Sequence, residues 1–208
     1  MKNLLLFALA GLFVFTGCQQ PKPVKTIENL KAAFKGETTA SAKYAAFAVK
    51  AQENYPEIAR LFEAASKAES IHAANHLKVL ESLGEKTEVF TPEFEVKTTL
   101  ENLQAAVQGE TYETETMYPQ FLTDAAAEKV TKATQSFTWA NDTEKKHLEF
   151  YKKAITAVLE KIEKSETTNS PMPTGYAVCP VCGNTYDNAA IDDKCTFCLT
   201  PKEKFLSF

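Results

Sequence analysis

Residues 28–38 of the chain read ENLKAAFKGET, and residues 101–111 read ENLQAAVQGET. Eight of these eleven positions are identical at an offset of 73, so the chain contains an internal repeat. A second match follows, because residues 69–72 read ESIH and residues 144–147 read EKKH, at an offset of 75. Together the matches indicate a duplicated helical hairpin. Each copy supplies one Glu from its first helix and one E-x-x-H pair from its second.

Apolar residues recur at helical spacing from residue 26 to about residue 164, a stretch in which glycine is rare. Three breaks, the last of them weakly marked, divide this stretch into four predicted helices at about 26–53, 56–83, 93–123 and 129–164. Pro119 falls inside the third helix and should kink it or end it early. The short–long–short pattern of connections is typical of an all-α four-helix bundle with one crossover.

The predicted helices can build a metal cage. An E-x-x-H pair puts a carboxylate and an imidazole on one helix face, and two such pairs with Glu37 and Glu110 give four carboxylates and two imidazoles. Carboxylate and imidazole ligands suit transition metals such as iron. Glu113 follows Glu110 by three residues, whereas the first repeat has Ala40 there, so one half has a seventh candidate ligand. Bound cations would neutralise these acids; solvated acidic helix faces are the alternative.

The tail carries four cysteines in two C-x-x-C pairs separated by twelve residues: Cys179, Cys182, Cys195 and Cys198. This spacing is typical of a four-thiolate site for iron or zinc, with a zinc ribbon as the alternative to an iron centre. Two disulfides are the other option for an exported protein. The first pair has Pro180 and Gly183, but the second, CTFCL, has neither. Because glycine permits the tight turn, the second knuckle is expected to be looser. A polar linker at 165–174 separates this domain, 175–208, from the bundle at 26–164.

The N-terminus resembles an export signal. Lys2 precedes the apolar run LLLFALAGLFVF, which is too short to span a bilayer and ends in FTGC. This ending resembles the lipobox of bacterial lipoproteins, although Phe15 stands where leucine is usual. We therefore predict a signal peptide at 1–17, lipidation of Cys18, a tether at 18–25, and an exported protein anchored on the periplasmic side or in the cell envelope. An anchor helix or an ordinary cleaved signal is the alternative.

The composition limits the classes of molecule that the protein is expected to bind. The 208-residue chain has a formal net charge of −4 and an ordinary apolar fraction for a globular protein. No basic stripe or basic tail is present in the sequence, which argues against nucleic acid as a partner.

Taken together, the motifs FKGE, AESIH, GETYE with MYP, EKKH and the paired cysteines resemble the rubrerythrins, ferritin-like di-iron proteins with a rubredoxin-like domain. The resemblance covers about residues 26–208. It implies that Glu69 and Glu144 bridge two irons and that Glu113 is an extra carboxylate exchanging with a His as the iron changes oxidation state. Tyr44 and Tyr118 match tyrosines that hydrogen-bond near the site, with ordinary buried aromatics as the alternative. The implied terminal iron ligands are Glu37, Glu110, His72 and His147.

The resemblance also implies a function. A di-iron site would reduce hydrogen peroxide to water, and one iron in the four-cysteine site would then re-reduce the pair one electron at a time. A head-to-tail homodimer is implied, in which one chain's thiolate-bound iron serves its partner. An exported protein would need a membrane-linked or periplasmic electron-donor protein, as yet unknown. Ferritin-like iron oxidation and a non-enzymatic electron carrier are the alternative functions.

His76 lies one turn beyond His72. Three interpretations are open for it: an alternative metal ligand, a proton donor, or a core or surface histidine without a metal role.

Overall fold

The computed structural model describes residues 21–164 and 172–208. Its bundle is built from helices α1 (Val24–Ala51), α2 (Pro56–Ser82), α3 (Thr99–Tyr112), α4 (Tyr118–Ala127) and α5 (Thr131–Lys164), with a π-helical turn (Glu113–Met117) between α3 and α4. The third helix of the bundle is a composite, since α3, the π turn and α4 follow one another without a break. The predicted four-helix bundle followed by a small cysteine-rich domain is therefore confirmed.

The third helix begins later than predicted, at Thr99 instead of near residue 93. Its start is fixed by a capping box, in which the Thr98 hydroxyl accepts from the Glu101 backbone N–H and the Glu101 carboxylate accepts from the Thr98 N–H. These reciprocal bonds satisfy donors that the first helical turn would leave unpaired. Residues 85–98 instead form the long crossover that joins the two hairpins.

Pro119 does not end the third helix. The π turn at Glu113–Met117 ends two residues before Pro119, which occupies the first turn of α4. A proline lacks the N–H that an α-helix needs, so it is best tolerated where the hydrogen-bond ladder is already interrupted. The π turn provides that interruption, and the helical path continues to Ala127.

Two of the connections reverse the chain through a left-handed residue. Gly84, with φ +79°, follows α2, and the Glu85 N–H reaches back to the Leu80 carbonyl at 3.0 Å. Lys129, with φ +59°, follows α4, and the Val130 N–H reaches the Ala125 carbonyl at 2.9 Å. Both are Schellman-type helix ends, which glycine usually supplies. The lysine explains why this break is weakly marked in the sequence.

The interior of the bundle consists of two apolar clusters. One includes Phe47, Phe62 and Tyr151, and the other includes Leu30 and Phe137. In the sequence, the candidate ligands of each helix lie near the point where residues of one cluster are replaced by residues of the other, as Glu37 does between Ala33 and Ala40. The acidic cage therefore lies at mid-bundle, where the two cores meet.

The C-terminal domain has three short strands, β1 (Tyr176–Val178), β2 (Thr185–Asp187) and β3 (Leu206–Ser207). They form an antiparallel sheet in the order β2-β1-β3, with short 3-10 turns at 188–190 and 202–204. Its β1 strand joins the larger apolar cluster of the bundle through Tyr176 and Val178, and Tyr176 meets Phe150 with ring centroids 5.3 Å apart. The domain thus packs on the bundle of its own chain through an apolar contact.

The predicted signal at 1–17, the lipidation site Cys18 and most of the linker lie outside the described residues. Helix α1 begins at Val24, inside the predicted tether at 18–25. Within the part of the chain that the structure describes, no helix is both long and apolar enough to cross a membrane.

Candidate metal centre

The four bundle helices bring six of the predicted ligands together as two overlapping sets. Each set has four groups whose ligand atoms lie within 4.8 Å of one another, and every member is buried. Glu69 and Glu144 belong to both sets, which is the placement of carboxylates that bridge two ions. The first set is Glu37, Glu69, His72 and Glu144, and the second is Glu69, Glu110, Glu144 and His147.

Hydrogen bonds within the described residues do not satisfy this cage. The His72 Nδ1 atom lies 2.9 Å from Glu69 Oε2 and 2.8 Å from Glu144 Oε1, and one ring N–H can serve only one of them. Glu37 Oε2, Glu69 Oε1 and Glu144 Oε1 are buried without a hydrogen-bond partner there. Buried carboxylate oxygens of this kind are costly unless cations coordinate them, so the residues fit a carboxylate–histidine di-metal site.

Electrostatics support the same conclusion. Burial, followed by repulsion from neighbouring carboxylates, raises the pKa of Glu37, Glu110 and Glu113 well above the usual range. Burial lowers the pKa of both cage histidines, but nearby carboxylates outweigh it and raise the pKa of His72 to about 10 and that of His147 to about 9. Protons on these groups occupy the positions that divalent ions would fill.

Two buried tyrosines hold the terminal carboxylates. The Tyr44 hydroxyl donates to Glu110 Oε1 at 2.7 Å, and the Tyr118 hydroxyl donates to Glu37 Oε1. Each tyrosine comes from the helix across from its carboxylate, so the two bonds are equivalent under the internal repeat. Both hydroxyls therefore orient carboxylates that line the cage.

The π turn accounts for the position of Glu113. Glu37 and Tyr44 are seven residues apart, whereas Glu110 and Tyr118 are eight apart. The extra residue is absorbed by the π turn, which starts at Glu113. This lets Glu110 and Tyr118 keep the places of their counterparts. Glu113 is partly buried and lies close enough for Glu144 and Glu69 to raise its pKa, but it belongs to neither four-group set. The one-residue difference was readable in the sequence, and π turns are frequent at functional sites.

The four cysteines of the tail form a second metal site. Their sulfur atoms all lie within 4.8 Å of one another. The Cys179–Cys198 and Cys182–Cys195 sulfurs are 3.4 Å apart, well beyond the S–S bond length of about 2.0 Å, so they are not disulfides. The Tyr186 hydroxyl donates to Cys195 Sγ at 3.4 Å. The arrangement is that of a tetrahedral thiolate site for iron or zinc.

The second knuckle is not looser than the first. The Gly183 N–H donates to the Cys179 carbonyl and the Leu199 N–H donates to the Cys195 carbonyl, both at 3.0 Å. Leu199 adopts φ +61°, close to the +81° of Gly183. The same turn is therefore kept with a leucine in a left-handed conformation, which costs about 1–2 kcal/mol. The Leu199 side chain is 69% exposed and so meets no steric obstacle of its own.

The first knuckle needs its glycine because it touches the metal cage. A Cβ atom on Gly183 would fall on Nε2 of His72, 2.6 Å from its Cδ2 and 3.2 Å from the Ala68 carbonyl oxygen. On the other cage histidine, His147, Nε2 bonds the Thr185 hydroxyl at 2.8 Å. Both histidines therefore turn Nδ1 toward the carboxylates and Nε2 toward the four-cysteine domain. Sequence reasoning missed this contact, because no motif records which bundle face the domain covers.

Polar bonds hold the domain in place around these histidines. Lys146 donates to Asn184 Oδ1 at 2.6 Å and lies 4.4 Å from the centroid of the Tyr186 ring. Asn75 donates to the Val181 carbonyl at 2.8 Å. Lys146, next to His147, and Asn75, three residues after His72, thus hold the domain beside the cage.

These features define a class of protein: a four-helix bundle with a carboxylate–histidine di-metal site and an attached four-cysteine metal domain. The family model for rubrerythrin matches residues 28–155. The chain belongs to the rubrerythrin family, as the sequence motifs predicted.

Known relatives agree over most of the chain. Nigerythrin of Nitratidesulfovibrio vulgaris is 37% identical over 88% of this chain and 86% of its own, and rubrerythrin-2 of Clostridium acetobutylicum is 34% identical over 90% and 98%. The structure of nigerythrin in its fully reduced, all-ferrous state superposes with a TM-score of 0.73 at 35% identity, over 88% of this chain and 86% of that one. A ferritin from Archaeoglobus fulgidus shares the fold alone, with a TM-score of 0.57 at 14% identity, over 67% of this chain and 87% of that one.

Proposed function

We propose that this protein is a non-haem di-iron peroxidase that reduces hydrogen peroxide to water with electrons from its four-cysteine centre. The observation that carries the proposal is the contact of both cage histidines with the four-cysteine domain. A ferritin-like iron oxidase would have no need for such a contact. Family membership and the all-ferrous state of nigerythrin support iron as the metal.

The roles of the residues follow from their positions. Glu69 and Glu144 would bridge the two irons, with Glu37 and His72 on one ion and Glu110 and His147 on the other. Glu113, on the π turn and close enough to Glu37 and His72 to interact with their charges, is proposed as the exchangeable carboxylate of the family. Tyr44 and Tyr118 would keep Glu110 and Glu37 oriented.

Two ferrous ions in this cage would supply the two electrons that break the O–O bond. Two protons are also consumed for each peroxide reduced to two waters. The buried acids of the cage can hold and transfer protons, since their raised pKa values favour the protonated form. The bundle core on both sides keeps bulk water away from the site.

A stopped-flow experiment tests the proposal. Anaerobically reduced, iron-loaded protein is mixed with hydrogen peroxide, and the visible absorption of the ferric four-cysteine centre is followed. We expect rapid reoxidation that is lost when Glu69 and Glu144 are both changed to Ala. Slow reoxidation that the double variant leaves unchanged would refute a peroxidase with an internal relay. It would favour iron handling, or zinc in the tail.

The route of the electron has its own test. The resemblance implies a head-to-tail homodimer, whereas in the structure the four-cysteine domain contacts the cage of its own chain. Chains with Cys182→Ser and Cys195→Ser would be mixed with chains carrying Glu69→Ala and Glu144→Ala. We expect no recovery of peroxide-driven reoxidation if the relay acts within a chain. Recovery in the mixture would show that the domain serves a partner subunit.

We also propose that the protein is exported and anchored to a membrane through a lipid on Cys18, facing the periplasm or the cell envelope. The charged start, the short apolar run and the FTGC ending support this. Mass spectrometry of the mature N-terminus, compared with a Cys18→Ala variant, checks the proposal. An intact, unlipidated residue 1 would overturn it.

A further inference from the structure

One half of the duplicated bundle contains a polar connection between the cage and the surface that the other half lacks. It starts at Ser136 of α5, whose Oγ lies 2.8 Å from His76 Nδ1. His76 Nε2 lies 3.2 Å from the Tyr118 hydroxyl, which in turn bonds Glu37 Oε1. All four groups are buried: Ser136 retains 5% exposure, Glu37 1%, and His76 and Tyr118 none.

The directions of these hydrogen bonds follow from the chemistry of Glu37. When metal is bound, Glu37 is an ionised carboxylate that can only accept, so the Tyr118 hydroxyl donates to Glu37 and the Tyr118 oxygen must accept from His76 Nε2–H. The Nδ1 atom of a neutral His76 is then an acceptor, and Ser136 donates to it. Burial, followed by the nearby His72, lowers the pKa of His76 to about 3, in agreement with a neutral ring. Every donor in the chain thus points inward, toward the cage.

The outer end of the chain reaches a cleft between α2 and α5. Ser136 lines this cleft together with Lys78, Lys132 and Gln135, among other residues. The Ser136 hydroxyl can accept a hydrogen bond from water there while it donates to His76.

The internal repeat provides the comparison. At the 75-residue offset that relates Glu69 to Glu144, His76 corresponds to Tyr151 and Ser136 corresponds to Leu61. Leu61 is fully buried in the apolar core, so the second half has no hydroxyl at the outer position that Ser136 occupies in the first. The second half is therefore closed by an apolar side chain at the position where the first half has Ser136.

We propose that Ser136, His76 and Tyr118 conduct protons from this cleft to Glu37. In each transfer the hydroxyl or ring accepts a proton at one atom and releases another at the next atom inward, so none of them changes its resting charge. The use of these protons in peroxide reduction rests on the proposed function. The conduction itself depends only on the hydrogen-bond chain. His76 is then neither a metal ligand nor a purely structural histidine.

The test compares two isosteric variants, Ser136→Thr and Ser136→Val, of which only the first keeps a hydroxyl. The full chain is loaded with zinc, which is diamagnetic, and labelled with 15N-histidine; the sequence has three histidines, so His76 is assigned by comparison with His76→Asn. The rate at which the His76 ring N–H exchanges with water is measured by saturation transfer. We expect Ser136→Thr to keep the native rate and Ser136→Val to slow it by about tenfold, through loss of one hydrogen-bonded link.

Tyr151→Phe is the matched control from the other half, and it should leave the His76 exchange rate unchanged. Equal rates in the Thr and Val variants would overturn the proposal. The zinc-loaded protein does not reduce peroxide, so this result is independent of the proposed function. With iron, Ser136→Val should also lower the rate of peroxide reduction and enlarge its solvent deuterium isotope effect relative to Ser136→Thr. A slowed exchange in a protein that fails to reduce peroxide would keep the proton path and refute only the peroxidase.

Discussion

Replacing Gly183 by Ala perturbs the contact between the four-cysteine domain and the metal cage at a single atom. The added methyl group would overlap Nε2 of His72 and lie 3.2 Å from the Ala68 carbonyl oxygen. Neither neighbour can move easily, because His72 is 1% exposed and Ala68 is fully buried in α2. The domain should therefore be pushed off the bundle.

Two costs add in this variant. A left-handed conformation costs an alanine about 1–2 kcal/mol, and overpacking at a buried contact costs about 1–3 kcal/mol. Gly84→Ala provides a matched control, because Gly84 has nearly the same φ, +79° against +81°, but no atom within 4 Å of its added Cβ. The difference between the variants isolates the steric contact. We expect Gly183→Ala to be the more destabilised by about 1–3 kcal/mol.

The chain has its own reporter for the measurement. Trp139 is the single tryptophan of the sequence and packs against the cluster that contains Cys179, Cys182 and Tyr186. Its fluorescence therefore reports docking of the domain. We expect Gly183→Ala to change this fluorescence and to lower the urea concentration at which it reaches the undocked value. Metal content is checked in parallel. Equal destabilisation of the two variants, within about 0.5 kcal/mol, with unchanged fluorescence would refute the contact.

Further predictions concern the cage and the four-cysteine domain. Five cage groups have raised pKa values in the metal-free fold, so the folded state binds their protons more tightly than the unfolded state does. The resulting contribution to the free energy of unfolding is fully present below the unfolded pKa values and is lost as pH rises. The five groups are Glu37, Glu110, Glu113, His72 and His147. The Tm of the metal-free protein should therefore fall between about pH 5 and pH 9, whereas the Tm of the metal-loaded protein should not. An equal change of Tm with pH in the two forms would contradict this prediction. Leu199→Gly should stabilise the four-cysteine domain by about 0.5–1 kcal/mol in denaturant titration, because it relieves a left-handed leucine whose side chain is exposed. Lys146→Met should lower the reduction potential of the four-cysteine centre, because the reduced form carries more negative charge and loses a nearby cation. Voltammetry showing an unchanged potential would exclude that electrostatic role.

The duplicated sequence was sufficient to predict the bundle and the groups that form its cage. The paired E-x-x-H segments and the repeated GE motifs determine which residues share a helix face. In a four-helix bundle these faces all point to the same interior, so their side chains come together there. The start of the third helix was misplaced although Thr98 and Glu101 spell a capping box, because the apolar pattern was extended past it. The π turn was likewise encoded, in the extra residue between Glu110 and Tyr118.

Other features had no local signal. The contact between Gly183 and His72 depends on how two separately folded units meet, and a spacing pattern carries no information about that. The absence of glycine from CTFCL predicts a looser second knuckle, but Leu199 adopts the left-handed conformation that the turn requires. The backbone instead forms the same turn in a strained conformation, which the metal-binding Cys195 and Cys198 in the segment directly before Leu199 can stabilise.

The unlike knuckles give the four-cysteine domain an inward and an outward pole. At the inward pole, Gly183 lets the backbone come within touching distance of a cage ligand. At the outward pole, Leu199 stands in solvent beside Cys198, which is the most exposed of the four cysteines. Under the proposed function, an electron-donor protein would meet the outward pole, and the cage lies beyond the inward one. Electrons would then enter the domain at the knuckle that carries the Leu199 side chain and leave it at the knuckle where Gly183 has none.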